Sequence, residues 1–150
     1  MVGTTQILFV CTGNTCRSPM AEALWRALGG RAESAGVSAW SGQPAAQNAV
    51  LAVQRWGGSL GHHRARDLNE VTGVPDMVLT MTRSQRDRVI EQRPDWANRT
   101  YLLTEMVGES GDISDPIGQD LPAYEAVAGQ LHHLLSKLQE KLSEGLEPHS

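Results

Sequence analysis

The chain has 150 residues, of which 40% are hydrophobic and 20% are charged, and its net charge is -4 with a pI near 5.7. This length suits one domain with its own hydrophobic core, so we expect a single domain over residues 1–150 that needs neither a metal nor a disulfide. The acidic balance and the lack of a basic run exclude nucleic acid as the main partner. No apolar run approaches the ~18 residues of a membrane span, and residues 1–5 lack a signal-peptide pattern, so we expect a cytoplasmic protein without a membrane partner.

The first predicted elements are a buried strand and a helix. Residues 7–10 (ILFV) are consecutive apolar residues, a pattern typical of a strand that is buried on both faces of a parallel sheet. Ser18 and Pro19 are typical of a helix N-cap and of the first helical residue, and apolar residues recur at helical spacing from Met20 to Leu28. The sequence therefore predicts a strand, a tight loop and a helix.

We call the connecting residues 11–18 (CTGNTCRS) the anion loop. It leads into a helix N-terminus, where free N–H groups and the helix dipole favour an anion the size of phosphate. Gly13 and Asn14 tolerate the positive φ that lets successive N–H groups converge on one point. Cys11 lies at the floor of the loop, where the N–H groups and Arg17 stabilise its thiolate, and the guanidinium is suited to bind two phosphate oxygens. The pattern therefore predicts a thiol nucleophile that faces a bound phosphorus atom.

Strands and helices alternate along the rest of the chain. The predicted elements are a strand at 31–35, a helix from about 45 to 56–58, a strand at 76–81, a helix at 83–93, a strand at 100–103 and a long loop at 108–122. The last helix carries an apolar stripe that we assign to the core, formed by Val127, Leu131, Leu134, Leu135, Leu138 and Leu142, and we expect residues 144–150 to fray. This order predicts an α/β fold, a twisted four-stranded parallel sheet flanked by helices on both faces, with the binding site beyond the carboxyl ends of the strands.

The anion loop, with Cys-x5-Arg-Ser after an N-terminal strand, resembles the phosphate loop of the low-molecular-weight protein phosphatases, and the stretch 11–22 is close to the form found in their bacterial protein-arginine phosphatase branch. Four further matches lie at 34–37 (SAGV), 63–66 (HRAR), 77–82 (MVLTMT) and 115–118 (DPIG). The resemblance covers nearly the whole chain and implies the flavodoxin-like fold of that family. It also implies a cysteine-dependent hydrolase that acts on phosphorylated proteins through a phosphocysteine intermediate, with no cofactor. No His, Cys and carboxylate spacing suggests a metal site, and we expect a monomer.

The same resemblance implies roles for individual residues. Cys11 is the nucleophile, Arg17 holds the phosphate, and Asp115 of the Asp-Pro pair protonates the leaving group and then activates water. Considered alone, Asp115 would be a turn-forming or helix-capping residue, and Asp112 and Asp120 are the local alternatives. Because a carboxyl group is ordinarily ionised at neutral pH, we expect burial and the phosphate charge to keep Asp115 protonated. The phosphate-binding residues that the resemblance implies are Thr12, Gly13, Asn14, Thr15, Cys16, Arg17 and Ser18.

Three residues are expected to support the anion loop. Ser18 is expected to cap the helix, and the resemblance implies that its hydroxyl also hydrogen-bonds the nucleophile. The resemblance further implies that Asn14 holds the loop in shape together with His63. Considered alone, His63 would be a surface histidine. Cys11 and Cys16 are the only cysteines of the chain, which fits a reducing compartment. We hypothesise a reversible disulfide between them that protects the nucleophile from over-oxidation.

Thr15, Ile117 and Trp40 form the expected substrate pocket. Tyrosine-directed relatives usually carry a bulkier aliphatic residue at the position of Thr15, whereas the arginine phosphatases carry Thr, whose hydroxyl suits a polar guanidinium. Ile117 follows Asp-Pro where tyrosine-directed relatives carry aromatic residues that stack on the phenyl ring. Trp40 favours phosphotyrosine instead, because it matches an aromatic pocket wall of the tyrosine-directed enzymes. An indole face also binds a guanidinium by a cation-π contact. Considered alone, Trp40 would be an amphipathic loop residue without a function in the site. We expect phosphoarginine as the substrate, with phosphotyrosine and small aryl phosphates as the alternative.

Other classes of function fit less of the chain. An arsenate reductase with this loop needs further cysteines outside the loop, and the chain has none. A non-catalytic phosphate-binding module would need neither Cys11 nor Asp115, and both are present. A redox sensor built on Cys11 and Cys16 stays open as a secondary role.

Overall fold

The structure, a computed structural model, describes residues 4–144. Its centre is one sheet of four parallel strands, β1 (Gln6–Cys11), β2 (Arg31–Gly36), β3 (Met77–Thr80) and β4 (Thr100–Leu102). The strand order is β2-β1-β3-β4, with Cys11 of β1 opposite Gly36 of β2. Because the direction of winding reverses beside β1, the carboxyl end of this strand lies at the switch point where open α/β sheets bind their ligands.

Helices cover the sheet in the described part of the chain. They are α1 (Arg17–Ala27), α2 (Gln47–Gln54), α3 (Arg83–Gln92), α4 (Leu103–Met106) and α5 (Leu121–Ser143), with 3-10 turns at Leu68–Glu70 and Pro94–Arg99. Every predicted strand and helix is present, with bounds that differ by a few residues, and the α/β prediction is confirmed. The short helix α4 was not predicted. Of residues 144–150, for which fraying was predicted, residues 145–150 lie outside the described part of the chain.

Buried side chains form one core on each face of the sheet. β1 contributes to both cores because its side chains alternate. Ile7 and Phe9 pack with α1, α2 and α5, whereas Leu8 and Val10 pack on the side of α3. The predicted apolar stripe of α5 is buried along its whole length. Burial of each large apolar side chain contributes about 1.5–3 kcal/mol, so the central strand is held firmly from both sides.

The start of α1 differs from the prediction. The helix begins at Arg17, and its N-cap residue, Cys16, makes no side-chain capping hydrogen bond. Ser18 is therefore the second helical residue and Pro19 the third. The predicted capping role of Ser18 is wrong, because a capping side chain has to precede the first turn in order to reach its free N–H groups. The Ser18 hydroxyl lies instead 2.9 Å from the Cys11 sulfur.

The long helix α5 anchors the loop that follows α4. His133 and Lys137 of α5 both hydrogen-bond the Glu109 carboxylate, at 2.8 and 2.9 Å. These two hydrogen bonds lower the pKa of Glu109, and the bond from Lys137 has the larger effect. The first residues of the loop 107–120 are thereby tied to the helical layer. Although α5 has 23 residues, no helix within residues 4–144 is both long and apolar enough to cross a membrane.

Candidate active site

The anion loop begins at the carboxyl end of β1 and is bordered by the segment 37–46, which we call the rim segment. The Ser38 N–H donates to the Thr12 carbonyl at 3.0 Å. Nearer the other end of the rim segment, the Ala46 N–H donates to the Thr15 carbonyl at 2.9 Å. The rim segment is therefore held against the anion loop at two points.

The close approach of β2 to the anion loop requires glycine at position 36. A Cβ atom built on Gly36 would lie 2.4 Å from the Thr12 carbonyl oxygen and 3.1 Å from the Asn14 backbone nitrogen. Side chains are not accommodated at such distances, so any other residue would push the backbone of the anion loop out of place. The glycine of the 34–37 match thus has a steric reason.

The backbone of the anion loop presents a group of free N–H donors. Within residues 4–144, the backbone N–H groups of residues 13–17 make no hydrogen bond. Asn14 has a φ of 58° and is the one non-glycine residue with positive φ in the described chain, whereas the positive φ expected at Gly13 is absent. The loop therefore turns through Asn14. Free N–H groups beside the N-terminus of α1 suit a tetrahedral anion.

Asn14 is fully buried, and its side chain connects the anion loop to the neighbouring elements. Its Nδ2 donates to the hydroxyls of Ser18 and Ser34, both at 2.9 Å, and its Oδ1 accepts the Arg66 N–H at 3.0 Å. The His63 Nε2 donates to the Asn14 carbonyl at 2.8 Å. The structure thus places His63 next to Asn14. It adds Ser34 and Arg66, which no sequence pattern marked beyond their positions within the matched stretches.

Cys11 is buried and in contact with Ser18. Its Sγ lies 2.9 Å from the Ser18 Oγ. Because this oxygen already accepts a hydrogen bond from Asn14, the hydroxyl hydrogen is left for Cys11 or for the Ala35 carbonyl at 3.4 Å. The Ser18 hydroxyl is therefore placed to hydrogen-bond the Cys11 sulfur.

The second cysteine packs against α5. The Cys16 Sγ lies 3.4 Å from the Tyr124 hydroxyl, and both residues are buried. Burial raises the pKa of the Cys16 thiol and that of the Tyr124 phenol. Both cysteines are free thiols. Tyr124 lies far along the chain from the anion loop, and sequence reasoning missed it.

Arg17 connects the anion loop to the loop that carries Asp115. The Arg17 guanidinium is buried, its Nη1 donates to the Ile113 carbonyl at 2.8 Å, and its Nη2 lies 3.3 Å from the Asp115 Oδ2. The Asp115 side chain is 41% exposed, so the expected burial is wrong. The Asp115 carboxyl group lies at the mouth of the site, beside the Arg17 guanidinium. Its Oδ1 also accepts the Ile117 N–H at 3.1 Å, so Asp115 forms a turn as well.

The two alternative aspartates have structural partners. Asp112 accepts the Arg83 N–H at 2.9 Å, between the loop and the N-terminus of α3. Asp120 is the N-cap of α5 and accepts the Ala123 N–H. Of the three aspartates, Asp115 is the one that lies beside Arg17.

A small cleft of about 30 Å3 opens above Cys11. It is lined by Cys11, Gly13, Thr15, Cys16, Arg17, Asp115 and Ile117. Trp40 is not part of this lining, and it is 79% exposed on the rim segment. Thr15 and Ile117 therefore line the cleft directly. The Trp40 indole lies outside the cleft, so it would contact only a part of a substrate that projects from the cleft.

The sequence model of the family described as "Low molecular weight phosphotyrosine protein phosphatase" matches residues 6–147. This chain belongs to that family. The resemblance read from the sequence is confirmed, together with the fold and the enzyme class, a hydrolase, that it implies. The chain is 38% identical over 141 residues to "Protein-arginine-phosphatase" of Geobacillus stearothermophilus, and the match covers 91% of this chain and 95% of the relative.

Two solved structures extend the comparison within the low molecular weight phosphatases. A low molecular weight protein tyrosine phosphatase from T. tengcongensis has a TM-score of 0.85 and 41% identity, over 92% of this chain and 99% of that chain. A YwlE arginine phosphatase mutant with a phosphorylated active site serine has a TM-score of 0.87 and 34% identity, over 93% and 96% of the two chains. The chain is thus similar both to arginine and to tyrosine phosphatases of the family.

One further residue at this low molecular weight phosphatase site was missed. Gln85 of α3 is 3% exposed, accepts the N–H groups of Met81 and Thr82, and donates to the Thr12 hydroxyl at 3.1 Å. The Thr-x-x-Gln spacing of a capping box at Thr82 was a signal for the helix start. The contact with Thr12 had no sequence signal, since it depends on how β3 and β1 pair.

Proposed function

We propose that this protein is a cysteine-dependent protein phosphatase that hydrolyses phosphoarginine through a phosphocysteine intermediate. The observation that carries the proposal is the convergence of Cys11, the free N–H groups of residues 13–17, Arg17 and Asp115 on one cleft. These groups supply a nucleophile, a cradle for phosphoryl oxygens and a proton donor. No group in this set requires a metal or a cofactor.

The first step transfers the phosphoryl group to sulfur. The Cys11 thiolate attacks phosphorus and forms an S–P bond, while the P–N bond to the substrate breaks and its electron pair goes to nitrogen. Asp115 donates a proton to that nitrogen. Arg17 and the N–H groups of residues 13–17 hold the phosphoryl oxygens as negative charge develops on them. The guanidinium is already oriented for this role by its bond to the Ile113 carbonyl.

The second step releases inorganic phosphate. Asp115, now a carboxylate, accepts a proton from a water molecule whose oxygen attacks phosphorus. The S–P bond breaks and its electron pair returns to Cys11, where the Ser18 hydroxyl at 2.9 Å stabilises the thiolate. The YwlE arginine phosphatase mutant with a phosphorylated active site serine supports a covalent intermediate of this kind.

Two cleft residues support phosphoarginine as the substrate. Thr15 lines the cleft with a small polar side chain, and Ile117 provides an aliphatic rather than aromatic neighbour. A wall without aromatic rings gives up stacking worth about 0.5–1.5 kcal/mol per pair with a phenyl group. The similarity to the protein-arginine-phosphatase of Geobacillus stearothermophilus supports the same choice.

Phosphotyrosine is the second candidate substrate. Trp40, exposed on the rim segment, offers an aromatic surface to a phenyl ring that projects from the cleft. The similarity to the tyrosine phosphatase from T. tengcongensis favours this alternative. An indole face also takes a guanidinium, so Trp40 is compatible with both substrates.

The deciding experiment compares kcat/KM on one peptide that carries either phosphoarginine or phosphotyrosine, for the wild type, Thr15→Ile and Ile117→Phe. We expect a preference for phosphoarginine in the wild type that falls at least tenfold in Thr15→Ile, because the hydroxyl that faces the guanidinium is lost. Ile117→Phe should raise activity on phosphotyrosine. A wild-type preference for phosphotyrosine that Thr15→Ile leaves unchanged would contradict the arginine assignment.

Further expectations accompany this proposal. The Cys11–Cys16 disulfide remains a hypothesis, and the raised pKa of the Cys16 thiol slows its attack on an oxidised Cys11. Mild peroxide followed by mass spectrometry tests it, since irreversible inactivation without a crosslink would refute it. Monomeric state and cytoplasmic location also remain predictions, to be tested by light scattering and by cell fractionation.

A further inference from the structure

An arginine side chain outside the cleft is fixed to its rim. Arg88 of α3 donates from Nη2 to the Ser38 hydroxyl at 3.1 Å. Ser38 is the residue of the rim segment whose N–H bonds the Thr12 carbonyl of the anion loop at 3.0 Å. The Arg88 guanidinium is therefore two hydrogen bonds away from the anion loop.

A second contact from the same helix fixes this arrangement. Gln85 precedes Arg88 by three residues, so the two side chains lie on the same face of α3. The Gln85 Nε2 donates to the Thr12 hydroxyl at 3.1 Å, and its Oε1 is occupied by backbone N–H groups at the start of the helix. One face of α3 thus rests on the anion loop through Gln85 and on the rim segment through Arg88.

Arg88 differs from the other arginines of α3 in its partners. Arg83 and Arg86 both pair with the Glu105 carboxylate, at 2.9 and 3.6 Å. Arg88 is exposed, and no carboxylate of residues 4–144 lies within 4.0 Å of its guanidinium. A guanidinium that bonds a neutral hydroxyl of the rim segment retains donors for a carboxylate, the partner that its planar fork fits best.

The spacing between Arg88 and the cleft matches a short stretch of peptide. The Ser38 backbone is one strand spacing, about 5 Å, from the Thr12 backbone of the anion loop, and the Arg88 guanidinium lies about 5 Å beyond the Ser38 backbone, so it is within about 10 Å of the anion loop. An extended chain advances about 3.3 Å per residue. A side chain two or three residues from the phosphorylated residue of a bound substrate therefore reaches Arg88.

We propose that Arg88 and Ser38 form a subsite that binds an acidic side chain of the substrate protein two or three residues from the phosphorylated residue. This inference rests on the proposed function, because it concerns substrate selection by the same phosphatase site. Substrates in which Asp or Glu flanks the phosphorylated side chain are then favoured over otherwise identical neutral sequences.

The test uses phosphopeptides that carry Asp, Asn or Lys at the second or third position on either side of the phosphorylated residue. The wild type should prefer the Asp peptide over the Asn peptide about twofold to fivefold in kcat/KM at one of these positions, the range of an exposed ion pair. The preference should vanish at 1 M salt, where the screening length falls to about 3 Å. Arg88→Gln should remove the preference, and Arg88→Glu should transfer it to the Lys peptide.

Arg31→Gln is the matched control, because it removes the same charge far from the site. Arg31 is the first residue of β2, whereas the anion loop lies at the carboxyl ends of the parallel strands. This variant should keep the wild-type preference. Equal kcat/KM for the Asp and Asn peptides in the wild type, or a preference that persists in Arg88→Gln, would overturn the subsite while leaving the phosphatase assignment intact. Loss of turnover on every phosphopeptide, with small aryl phosphates still hydrolysed, would overturn the proposed protein substrate and the subsite together.

Discussion

Replacement of Asn14 by alanine tests the hydrogen-bond network that shapes the anion loop. Asn14 is fully buried, and its side chain makes hydrogen bonds to Ser18, Ser34 and the Arg66 backbone. Its φ of 58° also lies in the left-handed region, which alanine adopts poorly. Asn14→Ala therefore loses the bonds and adds backbone strain at the same point.

The expected cost follows from these contacts. Two buried hydrogen bonds and one partly buried bond contribute about 1 kcal/mol each, and alanine at positive φ costs about 1 kcal/mol more, so Asn14→Ala should lose about 4 kcal/mol of unfolding free energy. Asn14→Gly loses the same bonds without the steric penalty and should lose about 3 kcal/mol. With an m-value near 2 kcal/mol/M, the alanine variant should unfold at about 2 M less urea than the wild type.

Urea titration followed by circular dichroism measures this cost, and hydrolysis of a small aryl phosphate measures its consequence for the site. We expect kcat/KM to fall at least tenfold in both variants, because Ser18 loses the Asn14 donor that orients it toward Cys11. Asn69→Ala, at an exposed asparagine with no side-chain hydrogen bond in the described chain, is the control and should change neither quantity. A midpoint shift below 0.5 M for Asn14→Ala would refute the reasoning, and equal shifts for alanine and glycine would refute the contribution of φ.

Two further changes test individual roles at the site. Asp115→Asn should lower kcat by about 10²–10⁴ on substrates whose leaving group needs a proton and much less on activated aryl phosphates. The Asp115 side chain is partly exposed in its pair with Arg17, so the free energy of unfolding should change by less than about 1 kcal/mol. Equal losses of kcat on both types of substrate would show that Asp115 is not the proton donor. Because burial raises the pKa of the Cys16 thiol, iodoacetamide at pH 8 should alkylate Cys11 first and Cys16 only after denaturation, as peptide mass spectrometry would report. Equal rates at the two thiols in the folded protein would contradict the protonated state of Cys16.

The parts of the fold that follow from local pattern were predictable from the sequence. The apolar run at 7–10 identified the central strand, and the stripe of α5 identified the core helix, because each pattern depends only on neighbouring residues. The Cys-x5-Arg spacing identified the anion loop for the same reason. Helix α4 was missed because its four residues follow β4 directly and are too few to show a period.

Contacts between distant parts of the chain were not predictable in the same way. Ser34 and Tyr124 meet the anion loop because β2 pairs with β1 and α5 packs on α1, and no local spacing encodes either contact. Ser18 looked like a cap because it precedes Pro19, whereas the structure continues the helix through it and turns the hydroxyl to Cys11. Tertiary hydrogen bonding outweighed the local capping preference at that position.

Trapping of the phosphoryl group on Cys11 is the most direct test of the mechanism. Rapid acid quench of the wild type during turnover, followed by peptide mass spectrometry, should find one phosphoryl group on the peptide that contains Cys11. Cys11→Ser, which offers a poorer leaving group, should retain the phosphoryl group at position 11 without further turnover. Continued hydrolysis with no phosphoryl group at position 11 in either protein would show that water attacks phosphorus directly, and would contradict the assignment of Cys11 as the nucleophile.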